Sequence, residues 1–233
     1  MRRSRFFYLL GEPVMLLLAL VAANWTLYLF AARRIDWIRA HVVEINTALF
    51  LYIPLLALLL ERFWPDEPEP FSIDDYGLDP GRILRALGVF AVTMAIVAPL
   101  FTAAFYLASR YGPSAYHPRF DPHVPEKLLD IAWFHLVHVA LPEEFFFRGY
   151  VQARLDRAFG GRVRLLGAQV GWSIVVTSLL FAVTHPLLGT SLWSLDTFFP
   201  GLLFGWLRSR TGSLAAPVAM HWTSNLLLFS LAG

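Results

Sequence analysis

The stretch ILRALGVFAVTMAIVAPLFTAAFYLAS, from Ile83 to Ser109, carries a single charge, Arg85, near its start. A helix that crosses a hydrocarbon core of about 30 Å needs roughly 20 mostly apolar residues, and this run is long enough. Further apolar runs lie on either side of it, at 14–32, 42–60, 128–152, 165–184, 197–207 with its N-terminal flank, and 213–232. The chain therefore reads as all-α, a polytopic membrane helical bundle of about seven to eight transmembrane helices. The run at 197–207 is the weakest, because Asp196 and Pro200 interrupt it. An interfacial or additional segment over 187–200 is the source of the higher count.

Composition points the same way. Of the 233 residues, 57% are apolar and 15% charged, against about 45–50% and 25% in ordinary globular proteins. A soluble domain with so few charges would not cover its own surface. The net charge of +2 gives no reason to expect a nucleic-acid partner, since the basic residues are scattered through connectors and form no patch. The absence of cysteine excludes disulfides, Cys–zinc sites and thiol chemistry. Met1 to Arg5 is basic and precedes an apolar run. That run, 14–32, is longer than a signal-peptide core and ends at Arg33 and Arg34, so it is expected to stay as the first span. Cytoplasmic connectors are enriched in Lys and Arg. With seven spans and the N-terminus inside, the inner segments hold Arg2, Arg3, Arg5, Arg62, Arg82, Arg85, Arg154, Arg157, Arg162, Arg164, Arg208 and Arg210. The outer segments hold only Arg33, Arg34, Arg39, Arg110, Arg119 and Lys127. The acidic, proline-containing stretch 61–81 is then an inner connector. We read 1–233 as a single membrane domain, with N-terminal spans and loops over 1–127 and a catalytic helical core over 128–233.

Within membrane helices the informative residues are the costly ones. A charged side chain at the bilayer centre costs about 2.5–3.5 kcal/mol on insertion scales, and so marks function by default. Three places qualify. In Pro142-Glu-Glu-Phe-Phe-Phe-Arg148, Glu144 and Arg148 stand four apart with the acid N-terminal, the favourable order for an ion pair on one helix face. Glu143 is turned about 100° away and is left as a free carboxylate. The plainer reading is an interfacial helix start with Pro142 in its first turn. The second place is Phe181-Ala-Val-Thr-His185, where a lone histidine closes an apolar run and an interfacial role is the plainer alternative. The third is His221-Trp-Thr-Ser-Asn225, where two polar side chains at i and i+4 share one face. They suit either helix–helix hydrogen bonding or a pair of donors to an oxyanion. His135 and His138, upstream of the glutamates, read as structural or cavity-lining.

Taken together, Glu143-Glu144…Arg148, Phe181…His185 and His221…Asn225, in this order and on separate apolar segments, resemble the CAAX-protease and bacteriocin-processing (CPBP, or Abi) family of intramembrane proteases. That family includes the Rce1-like CAAX proteases. The resemblance covers roughly 128–232. It implies a helical core around a water-filled cavity and, position by position, roles for the motif residues: Glu143 as the base that activates water, His185 holding that water, His221 and Asn225 stabilising the oxyanion, and Glu144 and Arg148 in support. It further implies an intramembrane endopeptidase acting near the C-terminus of a membrane-associated protein or peptide. The family has been described both as glutamate- and as metal-dependent. The expectation here is no cofactor, with zinc the less favoured alternative, because Arg148 one turn from Glu144 competes with a dication and Asn225 is a poor zinc ligand. Arg-rich, Lys-poor usage suggests a multi-pass protein of a bacterial inner membrane. Oligomeric state cannot be read from the sequence. A transporter or proton relay and a non-catalytic scaffold or immunity protein are the competing classes.

One spacing is awkward. If 165–184 is a straight span entered at Arg164, His185 lies about 14 Å from the level of Glu143 and His221 along the membrane normal. The expectation that resolves it is an interfacial segment from Gly160 to about Gly171, with the span proper beginning near Trp172.

Overall fold

The computed structural model describes residues 2–31, 34–61, 72–112 and 118–232. Helix α1 runs Arg2–Thr26 and continues through a π-helical turn, Leu27–Ala31. A short α2, Asp36–Ala40, leads into α3, Val42–Glu61, and α4 spans Ile83–Tyr111. The fifth helix, α5, is continuous over 128–158 but changes pitch: Leu128–Phe134 is α-helical, His135–Ala140 π, Leu141–Glu144 α, Phe145–Val151 π and Gln152–Ala158 α. Then come α6, Trp172–Leu187, α7, Phe198–Thr211, and α8, Ala215–Leu231.

The apolar runs of the sequence thus become helices, and the bundle is all-α apart from one small hairpin. Leu9–Leu29, Val42–Leu59 and Pro80–Tyr111 are long and apolar enough to cross a membrane by length and composition, and Trp172–Leu187 is a shorter apolar helix. On α4, Leu84, Val92, Ile96 and Leu100 are all exposed, and their spacing places them along one stripe. A stripe of that kind facing outward needs lipid as its solvent.

The stretch before α6 is not part of a straight span and takes a form that periodicity did not give. Val163–Leu165 and Ala168–Val170 pair as an antiparallel hairpin, with Leu165 opposite Ala168. Its two-residue turn places Leu166 at φ 48° and Gly167 at φ 80°, both left-handed as a type I′ turn requires. Asn-Gly or Asp-Gly is the usual signal for that turn, and Leu-Gly is not, so the hairpin was hidden. Gly167 and Gly171 stand four apart, a spacing that would permit close helix packing, but Gly167 makes the turn and Gly171 precedes α6. Between α6 and α7 the chain forms only a 3₁₀ turn, Leu192–Thr197.

Helix α5 is the axis of the bundle. On one side, Phe146, Phe147, Tyr150 and Val151 pack with Leu17 and Leu20 of α1 and Phe50 of α3. On the other, Phe204 and Leu207 of α7, Ala86 of α4 and Met220 of α8 form a second core. Two registered pairs fix how α5, α6 and α7 meet. Gly201 and Gly205 of α7 lie against Ser178 and Ile174 of α6, where an added Cβ would come within 3.1 and 2.7 Å. Their carbonyls accept hydrogen bonds from Arg148 at 3.2 Å and Gln152 at 3.3 Å on α5. Small residues allow this backbone approach in lipid, and the close approach lets buried polar side chains find partners. Helix α1 is tied in by Glu12, which accepts from the Tyr150 hydroxyl at 2.6 Å and lies 3.5 Å from Arg154 Nε.

At the end of the bundle bearing Arg82, Arg157 and Arg208, the connector 72–82 is clamped. Arg157 pairs with Asp75 at 3.0 Å, Arg208 donates to the Asp75 carbonyl at 2.6 Å, and Leu214 N–H donates to the Gly77 carbonyl at 2.9 Å.

Candidate active site

Pro142 explains the first change of pitch in α5. Its nitrogen has no hydrogen and its ring crowds the carbonyl of residue 138, so an ordinary α ladder is broken there. The preceding turn, His135–Ala140, widens into π geometry, a form of bulge that concentrates at functional sites. The second π segment begins immediately after Glu144. The two glutamates therefore sit on a single α turn between two widened ones.

Glu144 and Arg148 are wholly buried, and Arg148 Nη1 donates to Glu144 Oε1 at 2.8 Å, the pairing their spacing called for. The guanidinium also lies over the Phe181 ring, with Cζ 4.3 Å from the centroid, and 5.1 Å from that of Phe204. A buried charge is tolerable only with such compensation, and here α6 and α7 supply the aromatic faces. Glu144 Oε1 accepts a second bond, from His221 Nδ1 at 2.9 Å. An ionised carboxylate has no hydrogen to give, so Nδ1 carries the proton. The His221 ring stacks on Phe204 at 5.1 Å and meets Phe181 edge-on at 5.9 Å. Its other nitrogen, Nε2, faces Glu143 Oε2 across 4.0 Å. That is too far for a direct hydrogen bond and is a separation one bridging atom spans.

Glu143 differs from its neighbour. Its side chain is 19% exposed, and its buried Oε2 accepts no hydrogen bond. Glu144 is fully committed through one oxygen, while its Oε2 is likewise unpaired. Unpaired buried carboxylate oxygens are rare enough to call for a reason. Adjacent carboxylates have thus received different surroundings, one held by a cation and an imidazole, the other open.

His185 reaches the cluster through Phe181, one turn before it, at 4.7 Å between ring centroids. Its Nδ1 donates to the Phe181 carbonyl at 2.9 Å, which leaves Nε2 as the acceptor of the neutral ring. Helix α6 starts at Trp172, directly after the hairpin, and not at Arg164. Trp25 of α1 donates to the Leu187 carbonyl at 2.7 Å and anchors the end of the same helix.

Asn225 takes a different place from the other five. Its Nδ2 donates to His135 Nδ1 at 3.3 Å, so it joins the upper turns of α5 and not the carboxylates directly. His138, one turn on, lies 3.0 Å from the Thr47 hydroxyl of α3. The structure therefore brings Glu143, Glu144, Arg148 and His221 into one contact cluster, joins His185 to it through Phe181, and links Asn225 to His135. Sequence reading did not assign Phe204 or the Gly201 carbonyl, although Gly201 and Gly205 stand at the four-residue spacing that permits close helix packing. Phe204 carried no local signal.

Among the described residues, no group of three or more His, Asp or Glu side chains is disposed to hold a metal ion. The donor set fits one poorly, since Glu144 Oε1 is already shared by a guanidinium and a protonated ring nitrogen.

Residues 125–227 match the family model described as Rce1-like: type II CAAX prenyl endopeptidase Rce1-like. The matched segment holds all three motifs and the whole cluster. No curated protein and no solved structure matches the chain.

Proposed function

We propose, from the match of residues 125–227 to the Rce1-like type II CAAX prenyl endopeptidase model, that the chain is an intramembrane endopeptidase that hydrolyses a peptide bond near the C-terminus of a membrane-associated protein or peptide through a glutamate-activated water. The observation that carries the glutamate assignment is the asymmetry of the pair. Glu144 is held by Arg148 and His221, whereas Glu143 presents an unpaired oxygen beside His221.

In this reading a water sits between Glu143 and His185 Nε2, whose lone pair is left available by the Nδ1 bond to Phe181. Glu143 takes one proton as the water oxygen attacks the scissile carbonyl carbon. The carbonyl oxygen becomes the oxyanion and is met by Asn225, whose amide has a second N–H beyond the one given to His135, and by His221 with its ring protonated on Nε2 as well as on the Nδ1 that serves Glu144. Glu143 then returns the proton to the departing amine, so the reaction is neutral in protons. Glu144 and Arg148 hold the His221 ring in place. They are positioning residues.

The substrate in a bacterial membrane would be a peptide or the C-terminal tail of an anchored surface protein, and the membrane a bacterial inner membrane. No cofactor takes part. Zinc is the less favoured version, because a dication at Glu144 would lie beside the buried Arg148 guanidinium paired to the same carboxylate, and Asn225 is a poor zinc ligand. The deciding experiment compares peptide cleavage by purified wild-type protein, the Glu143→Gln variant and wild type with EDTA. Activity that survives EDTA and disappears in the variant supports the reading. Loss with EDTA and recovery with Zn²⁺ would overturn the metal-free chemistry. A variant as active as wild type would remove Glu143 from its role. Cleavage by neither protein would return the transporter and immunity-protein readings to the front.

A further inference from the structure

A second feature lies one helix away from the catalytic cluster. Helices α4, α6 and α7 and the 163–170 hairpin enclose a groove of about 900 Å³. Its walls are apolar, with Val92 and Ile96 from α4, Leu203 and Trp206 from α7, and Leu165 and Leu166 from the hairpin. The only charged side chains lining it are Arg85 and Arg210, and both belong to the clamped end of the bundle. At that end several other arginines have partners, Arg82 in Asp79, Arg157 in Asp75, Arg162 in Asp156 and Arg208 in the Asp75 carbonyl, while Arg164 on the hairpin is exposed and does not line the groove. Among the described residues no carboxylate pairs with Arg85 or Arg210.

The hairpin is built to face this groove and the bilayer. Trp206 Nε1 donates to the Leu165 carbonyl at 3.1 Å and fastens the hairpin to α7. Gly167, at φ 80°, leaves room for Arg210 to lie across the turn, since a Cβ there would come within 2.6 Å of Arg210 Nε. The turn's other residue, Leu166, is a non-glycine at φ 48° and is 79% exposed. A branched apolar side chain in the left-handed region is costly, and in water an exposed leucine would return nothing for that cost. In lipid it does.

We propose that this groove binds an anionic glycerophospholipid of the bilayer, with acyl chain along α4 and α7 and its phosphate held by Arg85 and Arg210. The charge pattern selects the occupant. Two guanidiniums offer paired donors to a phosphate, and basic pockets between membrane helices on the cytoplasmic side are where anionic headgroups dock. A free phosphate would use the arginines but not the groove, and a zwitterionic lipid would fill the groove without needing two unpaired cations. The bound lipid rests on Leu203 and Ile174, and Ile174 is the side chain packed against Gly205. It thereby braces the α6–α7 contact from outside.

The test uses the full chain, purified in detergent and stripped of lipid, with binding read by native mass spectrometry and by the thermal unfolding midpoint. Phosphatidylglycerol, phosphatidylcholine with the same acyl chains, and glycerol 3-phosphate are the probes. Wild type should retain phosphatidylglycerol and gain thermal stability from it, with little response to the other two. Arg85→Gln/Arg210→Gln should weaken that retention about 30-fold, the loss expected for two basic contacts to an anionic headgroup. Val92→Trp, which fills the groove and leaves both arginines in place, should weaken it as well. Equal retention by wild type and the double arginine variant would overturn the proposal, as would an equal response to phosphatidylcholine. Full competition by glycerol 3-phosphate would reduce the site to a bare anion contact and also overturn it. Each variant's unfolding midpoint without lipid identifies any that has not folded.

Discussion

Replacing either glutamate by glutamine changes one atom, and the two positions should respond in opposite ways. Glu144 is fully buried and, among the described residues, gives Arg148 its one paired carboxylate, with His221 as second donor to the same oxygen. Removing one partner of a buried pair costs about 3–5 kcal/mol, since the other charge stays behind without compensation. Glutamine keeps an acceptor oxygen, and the Gly201 carbonyl and two aromatic rings still face the guanidinium. The low end, about 3 kcal/mol, is therefore the expected loss for Glu144→Gln. Glu143 accepts no hydrogen bond through its buried oxygen and is partly exposed, so Glu143→Gln should change stability by no more than about 0.5 kcal/mol. Its cleavage rate should nevertheless fall by about 10²–10⁴, the range for a lost general base. Denaturant unfolding in a fixed detergent, run beside a peptide-cleavage assay on the same preparations, measures both quantities. Glu144→Gln as stable as wild type would refute the claim that this carboxylate holds a buried cation. Glu143→Gln with undiminished turnover would refute the division of roles and shift the base to Glu144.

Three further outcomes follow from the same structure. On the proposed mechanism, Asn225→Ala should lower kcat by about 10²–10³ with substrate affinity nearly unchanged; steady-state kinetics that instead show a raised KM would mean Asn225 binds substrate. Gly77→Ala forces a left-handed residue, φ 75°, to carry a Cβ within 2.7 Å of Arg208 Nε. It should destabilise the fold by at least about 1–2 kcal/mol, visible as a lowered unfolding midpoint. Burial alone would raise the Asp75 pKa, but hydrogen bonds from Ser72 and the charge of Arg157 outweigh it and hold the carboxyl below its usual value. A depressed folded-state value means these contacts stabilise fully above the unfolded carboxyl pKa, about 3.9, and are lost as pH falls through the folded value. Unfolding midpoints should therefore drop at acid pH in wild type, and less steeply in Asp75→Asn.

The sequence by itself determined most of what depends on composition and on short spacings with a recognised signature. Length and apolarity of the runs decided an all-helical membrane bundle, because lipid permits a spanning backbone few other ways to satisfy its hydrogen bonds. An i,i+4 interval decided the Glu144–Arg148 pair, and the order of three motifs carried the family resemblance that residues 125–227 also show to the Rce1-like model. The tertiary structure decided what has no local signature. Glu143 and Glu144 are chemically identical neighbours, and only the arrival of His221 from α8 and of Phe181 and Phe204 from α6 and α7 makes one committed and the other open. Glu12 and Tyr150 are 138 residues apart, and nothing near either announces the other. The hairpin at 163–170 escaped because its turn uses leucine where asparagine or aspartate is usual, and its apolar strands resemble the start of a span. Periodicity reports which face of an element is buried. It carries no information about which distant side chain meets that face, and the division of labour between two adjacent carboxylates is set by that meeting alone.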